Sequence, residues 1–443
     1  MKKTTVSVIG LGKLGLNMAA CIAYKGYKVI GVDINESLVQ MVNNGKSPLS
    51  EPGLDEIMGK ASNNFEATTD IGYAVRNTDI IFIFVGTPSI EDGSFSSYYV
   101  EKAAKEIAVH LKDINEYRLI VNRSTVMPGV TDGVVKRIIE EYSGKIVGED
   151  IGLCFNPEFM ALGSAIHNFL HPDVIAIGES DSNSGQQLSD FYKNVCENDP
   201  AIVRTSLTNA EWSKISLNVF LTVKMSFANT IAEVCERIDG GDVDKISDIL
   251  GHDPRIGRKF LSGAIGYGGP CFPRDTKAFT TFTKNNNCKS ELSIAAEKVN
   301  DRQSKRVLGS IKNIVGELGG KTIAVLGLTY KPDTDIVDPS DQLNIVKYLL
   351  SENAIIKACD PMGIKNARKI LGDSNIKYTK SAIECLKGTD LCLLATPWEE
   401  FKKLRPKDFT ENMKAPIVFD CWRIQKNLSF DSEVDYYGVG IQY

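Results

Sequence analysis

The chain has 443 residues, 43% hydrophobic and 24% charged, with 51 basic against 56 acidic side chains and a formal net charge of -5. At roughly 150 residues per domain this length implies about three domains, with a core large enough to need neither disulfides nor metal clips. The weak acidic balance excludes a protein built to neutralise nucleic-acid phosphates, and no apolar run approaches the ~20 residues that span a bilayer, so neither a nucleic-acid nor a membrane partner is expected.

The start, Met1-Lys2-Lys3-Thr4-Thr5, leads straight into a strand, so no signal peptide is read there. Val6-Ser7-Val8-Ile9 is that strand, Gly10-Leu11-Gly12-Lys13-Leu14-Gly15 turns the chain, and Leu16 to Tyr24 continues as a helix that Gly26 stops. Val29-Ile30-Gly31-Val32-Asp33 is a second strand ending in an acid. Ile80 to Val85 is an apolar strand closed by Gly86-Thr87-Pro88, and Leu119-Ile120-Val121-Asn122 is another, followed by Ser124-Thr125. Strands alternating with helices imply a parallel, doubly wound sheet.

Glycines at GxGxxG spacing occur in many turns. Here they follow a strand, open a helix, and precede Asp33 by eighteen residues. Such glycines let the backbone approach a pyrophosphate, and the helix N-terminus supplies amide donors to it. Asp33 accepts hydrogen bonds from a ribose 2′-hydroxyl and repels a 2′-phosphate. No arginine follows within Ile34-Asn35-Glu36-Ser37, which favours NAD over NADP. A structural glycine turn, or a site for FAD or another nucleotide, shares the spacing.

From about Asn209 to Arg237 one long helix is predicted. Trp212, Ile215, Val219, Phe220, Phe227 and Val234 place apolar side chains nearly all round it, so burial between domains or subunits is expected. Lys214 and Asn218 share one face of it. Such a lysine either snorkels outward or is held inside, where its ammonium beside Asn218 stabilises a developing oxyanion.

Gly266-Tyr267-Gly268-Gly269-Pro270-Cys271-Phe272-Pro273-Arg274-Asp275 is too rich in glycine and proline for regular structure, yet it holds a thiol and, four residues later, a carboxylate. Small residues around a thiol leave room for a ligand, and a reactive cysteine must be reachable. The chain has ten cysteines, no CxxC pair, and no histidines at zinc-ligand spacing among them, so no metal site is expected. The other nine read as small, reduced packing residues.

After Gly319-Gly320 the opening pattern returns. Ile323 to Gly327 matches Val6 to Gly10, Ile355 to Asp360 echoes the strand ending at Asp33, and Thr389 to Pro397 parallels Thr78 to Pro88. The second and third glycines are missing. The expected fold is α/β, with two Rossmann-like lobes joined by a helical centre containing the long helix. Its boundaries are 1–200 for the first, dinucleotide-binding lobe, 201–305 for the helical centre, and 306–443 for the second lobe.

With these motifs stand Ser47 to Leu54, Val85-Gly86-Thr87-Pro88, Arg123-Ser124-Thr125-Val126, Asn156-Pro157-Glu158-Phe159 and Tyr330-Lys331-Pro332. Together they resemble the UDP-glucose/GDP-mannose dehydrogenases, along nearly the whole chain. The resemblance implies a four-electron oxidation of a nucleotide sugar's C6 alcohol to a carboxylate with two NAD, in the cytoplasm and for polysaccharide synthesis. Cys271 forms a thiohemiacetal and then a thioester, which water hydrolyses. Lys214 and Asn218 stabilise oxyanions, Asp275 assists proton transfer, and Thr125 and Glu158 position or activate water. The cofactor contacts it implies are Gly10, Gly12, Lys13, Leu14, Gly15, Asp33, Thr87, Pro88 and Thr125. For the substrate it implies Phe159, Lys214, Asn218, Phe260, Tyr267, Gly268, Lys331 and Arg423. Arg255 matches an arginine reaching across from a neighbouring subunit, which implies a homodimer joined through the central helix.

Two departures stand out. Leu162 replaces a second glutamate, and Asp338-Pro339 replaces an arginine-glutamate pair. UDP-glucose leads as substrate, with GDP-mannose and a UDP-N-acetylhexosamine as alternatives. A two-electron dehydrogenase of the 6-phosphogluconate or hydroxyacyl type, or a non-catalytic nucleotide-sugar-binding protein, are the rival readings.

Overall fold

The computed structural model describes residues 4–442. Eight strands form the first sheet: β1 (Thr5–Ile9), β2 (Lys28–Val32), β3 (Phe65–Thr68), β4 (Ile80–Ile83), β5 (Arg118–Asn122), β6 (Ile151–Phe155), β7 (Val174–Glu179) and β8 (Ala201–Ser206). They lie in the order β3-β2-β1-β4-β5-β6-β7-β8. Alternation along the strands feeds two cores. Val6, Val8, Phe82, Leu119 and Val121 pack on one face, and Ile9, Ile81, Ile83 and Ile120 on the other. Burial on both faces is why these strands read as continuous apolar runs.

One pair departs from the parallel expectation. β7 runs antiparallel to β6, matching Cys154 with Glu179 and Phe155 with Gly178. After β6 the chain makes a loop and the short helix Ala165–Leu170, which packs against the helix Gly15–Tyr24, and it re-enters from beyond the carboxyl end of β6. That loop carries Glu158 and Phe159.

The helix Leu207–Cys235 follows β8 directly. Its burial is not uniform. Ala210, Ile215, Val219, Ala228, Ala232 and Cys235 are buried, whereas Phe220, Phe227 and Val234 are 63%, 54% and 51% exposed. Those three recur every seven residues, so they form an exposed apolar stripe rather than an all-round core surface. By length and composition alone this helix is also apolar enough to cross a membrane, unlike the expectation from its sequence. Its buried polar side chains find protein partners: Glu211 accepts the Gly129 and Thr131 amides, and Asn218 donates to Asp275. It is a core helix of the fold.

The second sheet contains β9 (Thr322–Leu326), β10 (Ile355–Cys359), β11 (Ile376–Tyr378), β12 (Leu391–Leu394), β13 (Ile417–Asp420) and β14 (Asp435–Gly438). All pairs are parallel, in the order β11-β10-β9-β12-β13-β14. This repeats the order of the first six strands of the first sheet. By contacts the chain divides into two compact units, Met1–Leu217 and Asn218–Tyr443.

Eight of the ten cysteines are buried, among them Cys359, Cys385 and Cys392 in one core of the second lobe. Burial pushes the thiols of Cys21, Cys154, Cys359 and Cys385 up to about 12, so they stay protonated and inert. Cys271 and Cys288 are exposed. Cys288 is therefore not the packing residue expected from its sequence: it lies past the end of the helix Phe272–Asn285, where its Sγ donates to the Asn286 carbonyl.

Candidate active site

The carboxyl ends of β1 and β4 flank the point where strand order reverses, the usual ligand crevice of such sheets. The three glycines of the turn differ in what surrounds them. A Cβ on Gly10 would lie 2.4 Å from the Phe84 carbonyl oxygen, and one on Gly15 would lie 2.0 Å from that of Gly10. Both are required by the chain's own packing. A Cβ on Gly12 would meet nothing within 4 Å. Gly12 and Lys13 are exposed and Leu14 half-buried, so the turn leaves an open cradle at the start of the helix Gly15–Tyr24. Asp33, just past β2, accepts the Leu11 amide on Oδ2 and the Asn35 amide on Oδ1, both at 2.9 Å. A carboxylate offers about four acceptor positions, so capacity remains for ribose hydroxyls. These residues fit NAD. The Ser124 hydroxyl accepts the Val85 amide at 2.9 Å and ties the Thr87-Pro88 loop to the loop bearing Thr125. Thr87 is buried, Pro88 exposed and Thr125 half-buried.

In the same unit Glu158 is 4% exposed and pairs with Arg123, Nη2 to Oε2 3.0 Å. Its other oxygen accepts the Met160 amide. Arg123 also donates to Asn156 and to the Tyr192 hydroxyl. Arg123 thus anchors the carboxylate, a role its place in Arg123-Ser124-Thr125-Val126 did not disclose. Glu51 accepts the amides of Gly163 and Ala165, at 2.9 and 2.7 Å, and holds the far end of the same loop. Lys214 does not snorkel. It is 7% exposed, with its ammonium 5.4 Å from the Phe159 ring centroid.

In the second unit Cys271 occupies the N-cap position of the helix Phe272–Asn285. Asp275, one turn on, is fully buried; its Oδ2 accepts from Asn218 at 2.6 Å and its Oδ1 from Arg274 at 3.1 Å. The structure therefore brings Asn218 and Asp275 together directly. A cavity of ≈ 260 Å³ beside this loop is lined by Phe260, Tyr267, Gly268, Phe272, Lys331 and Trp422, among others. Phe260 holds φ 68, a strained conformation for a bulky residue and one that concentrates at binding sites. The Tyr267 ring packs edge-on against Phe272, and burial pushes its hydroxyl up to about 12.

Arg423 has a different occupation from the one expected. Its guanidinium takes both carboxylate oxygens of Asp244, at 2.8 and 2.9 Å, and the carbonyls of Ser262, Gly263 and Val439. All five N–H donors are used inside the chain, which leaves none for a sugar nucleotide. Arg423 is a brace between the second sheet and the segment before the glycine loop. Arg255 is the opposite case: its side chain is 86% exposed and pairs with its neighbour Asp253. Of the two departures, Asp338 is exposed and Leu162 half-buried.

Three models of the UDP-glucose/GDP-mannose dehydrogenase family match the chain: the NAD binding domain over residues 4–196, the central domain over 208–302 and the UDP binding domain over 324–427. The chain is 37% identical over 422 residues to the UDP-glucose 6-dehydrogenase TuaD of Bacillus subtilis, covering 95% of this chain and 89% of that protein. It is 36% identical over 435 residues to the UDP-glucose 6-dehydrogenase AglM of Haloferax volcanii, covering 97% and 100%. The structure of a UDP-glucose dehydrogenase from Pyrobaculum islandicum matches with a TM-score of 0.90 at 33% identity, over 99% and 98% of the two chains. The UDP-N-acetyl-mannosamine dehydrogenase Cap5O of Staphylococcus aureus matches with 0.78 at 26%, over 99% and 98%. With its glycine cradle, its thiol loop and all three domains of one family along its length, the chain belongs to the NAD-dependent UDP-glucose/GDP-mannose dehydrogenase family.

Proposed function

We propose that the chain oxidises the C6 alcohol of UDP-glucose to the carboxylate of UDP-glucuronate, through two covalent states on Cys271. The observation that carries this reading is the thiol loop: an exposed cysteine at the N-cap position of a helix whose next turn holds a buried carboxylate already bonded to Asn218. Relatives about 35% identical over nearly the whole chain bear the name UDP-glucose 6-dehydrogenase.

Held by the Gly12 turn and Asp33, NAD would supply the hydride acceptor for both oxidations, each of which also releases the proton of the C6 oxygen. Cys271 Sγ adds to the C6 aldehyde, and the aldehyde oxygen takes a proton to give a thiohemiacetal. The helix N-terminus favours an anion at this cysteine. Removal of the second hydride, with the hydroxyl proton passing to a base, leaves a thioester. Water adds to it, and Sγ departs as thiolate while the acid is released. Lys214 and Asn218 donate to the oxygen that gains charge in these steps, in surroundings too dry to screen them. Asp275, held by Asn218 and Arg274, is the fixed carboxylate that takes and returns protons near Sγ. Glu158, pinned by Arg123, and Thr125 orient the hydrolytic water. Phe159, Phe260, Tyr267, Gly268 and Lys331 are assigned to the sugar nucleotide.

The enzyme is inferred to be a soluble, cytoplasmic homodimer. Support comes from the exposed Phe220, Phe227 and Val234 stripe on the central helix, an apolar surface that a second copy would cover. Arg255, extended into solvent, is assigned to the sugar nucleotide of the adjoining protomer. A gel-filtration mass of one chain would remove this part.

NADH release over UDP-glucose, GDP-mannose, UDP-N-acetylglucosamine and UDP-N-acetylmannosamine tests the substrate. Two NADH per UDP-glucose is the expected stoichiometry, and one NADH would return the two-electron reading. Cys271→Ser is expected to stop the reaction before the acid; full acid formation by that variant would remove the thiol from the mechanism.

A further inference from the structure

The loop that delivers Cys271 is crowded rather than roomy. A Cβ on Gly266 would lie 2.5 Å from Asp341 Oδ2 and 2.8 Å from Asn300 Oδ1. One on Gly268 would lie 2.6 Å from the Pro339 carbonyl oxygen, and one on Gly269 2.5 Å from the Tyr330 ring. The space left by these glycines is taken by the protein, and hydrogen bonds fill it. The Gly266 amide donates to Asp341 Oδ2 at 2.6 Å, and the Gly269 amide to the Pro339 carbonyl at 2.7 Å. Between them Asn300 takes both main-chain groups of Tyr267, accepting its N–H at 2.7 Å and donating to its carbonyl at 3.1 Å. Only Pro270 separates this pinned stretch from Cys271. Proline has a fixed φ and no N–H, so it passes the position of Gly269 on with little slack.

The two side chains that do the pinning are themselves held. Ser340 caps the helix Asp341–Ser351 by accepting the Leu343 amide, which makes Asp341 its first residue and only 5% exposed. Burial raises its carboxyl to about 6, against the Gly266 amide and the side chains of Asn344 and Ser304, while Asp301 is the like charge beside it. Asn300 lies on the helix Glu291–Asp301. Neither residue belongs to the thiol's own segment, and neither lines the cavity described above.

We propose that Asp341 and Asn300 are positioning residues for the thiol: by fixing the main chain of residues 266–269 they set where Cys271 Sγ meets the C6 aldehyde, so that the aldehyde is captured rather than released. This rests on the Cys271 chemistry proposed above. The readout is the partition of that aldehyde. Each sugar that leaves as aldehyde has given two electrons and one NADH, and a hydrazine condenses with it to a hydrazone and water. Each sugar that is captured gives a second NADH and the acid. A purely structural role lowers the amount of active enzyme but leaves two NADH per sugar.

The experiment measures NADH per UDP-glucose consumed and hydrazone formed, with full-length protein, for Asp341→Ala, Asn300→Ala and Asp341→Asn, alongside melting temperature. Both alanine variants are expected to leak trapped aldehyde, to fall from two NADH toward one, and to form acid at least tenfold more slowly. Asp341→Asn keeps an oxygen to accept the Gly266 amide and is expected to restore two. The positioning role is overturned if a folded alanine variant traps no aldehyde at two NADH per sugar, or if Asp341→Asn leaks as much as Asp341→Ala. Should Asp341→Ala fail to fold, Asn300→Ala decides. Cys271→Ser, run beside them, separates the two claims: acid formation by that variant sinks the thiol reading itself, whereas an inactive Cys271→Ser with tight alanine variants sinks only the positioning.

Discussion

The two lobes share a strand order and a first glycine but spend their first loop differently. Gly10 and Gly327 both hold φ 104, and a Cβ on either would run into the chain at the end of the adjacent strand, at Phe84 or at Thr396. That glycine serves packing in both lobes. After it they diverge. In the first lobe the helix begins at Gly15, with Gly12 open to a ligand; in the second, helix starts only at Asp341, and the intervening segment supplies Tyr330, Pro339 and Asp341 to the thiol loop. The acids at the ends of the second strands diverge likewise. Asp33 accepts two amides and keeps capacity. Asp360 is 3% exposed and accepts four amides, from Leu328, Thr329, Met362 and Gly363, together with the Trp398 indole N–H and the Thr329 hydroxyl. It has nothing left for a ribose. The repeat preserves the frame, and the first loop decides whether the lobe grips a dinucleotide or another part of its own chain.

Asp360→Ala is expected to have the largest effect. It strands several buried donors, so a stability loss of about 3–5 kcal/mol is expected in denaturant melts, with NAD affinity of the folded fraction unchanged. A weakened NAD Kd in folded protein would show that the second lobe is not the inert frame described. Asp33→Ala should do the reverse: calorimetry should find NAD binding weakened about 10- to 100-fold, the worth of charge-assisted bonds to a ribose, at a stability cost under about 1 kcal/mol.

The stability of the second lobe also depends on pH. Asp341 titrates at about 6 in the folded chain against 3.8 when unfolded. The folded state therefore holds its proton more tightly, so this group's contribution to stability rises as pH falls from 6 toward 3.8 and its burial cost is fully present above 6. Asp341→Asn removes that titration. The stability of wild type relative to the variant should increase by about 2 kcal/mol between pH 7 and pH 4.5, in paired urea melts. A flat difference would mean that the carboxyl is not buried as described. The smallest stability effect is expected at Gly12→Ala, within about 0.5 kcal/mol of wild type because nothing meets the new methyl. NAD affinity should nonetheless fall about tenfold, one contact's worth. Loss of folding there would mean that the turn is packed, not open.

Much of the proposed site rests on local sequence. The glycine turn, Asp33 and the glycine–proline run around Cys271 each state their geometry within about ten residues, where backbone freedom and strand period act directly. The glycines of the two loops look alike in sequence, yet a Cβ on Gly12 would meet nothing within 4 Å, whereas one on Gly266, Gly268 or Gly269 would run into the protein. What separates them is a partner some 75 positions away, Asp341 on the Gly266 amide. Arg423 was misread for the same reason: its five acceptors come from Asp244, Ser262, Gly263 and Val439, far apart along the chain. Apolar residues all round the long helix gave no sign of which stripe the protein would leave exposed.

The sequence alone determined that two βαβ-type lobes precede and follow a long helix along the chain, that one lobe takes a dinucleotide, and that one cysteine of ten lies in a glycine- and proline-rich loop. Periodicity, glycine spacing and motif order are properties of neighbouring residues, so they survive without a structure. Only the tertiary structure decided that β7 turns back against β6, that Arg123 anchors Glu158, that Arg423 braces the second lobe, and that Asp341 and Asn300 grip the loop before Cys271. Each of those depends on which distant donor finds which acceptor, and a buried polar group takes its meaning from the partner that satisfies it.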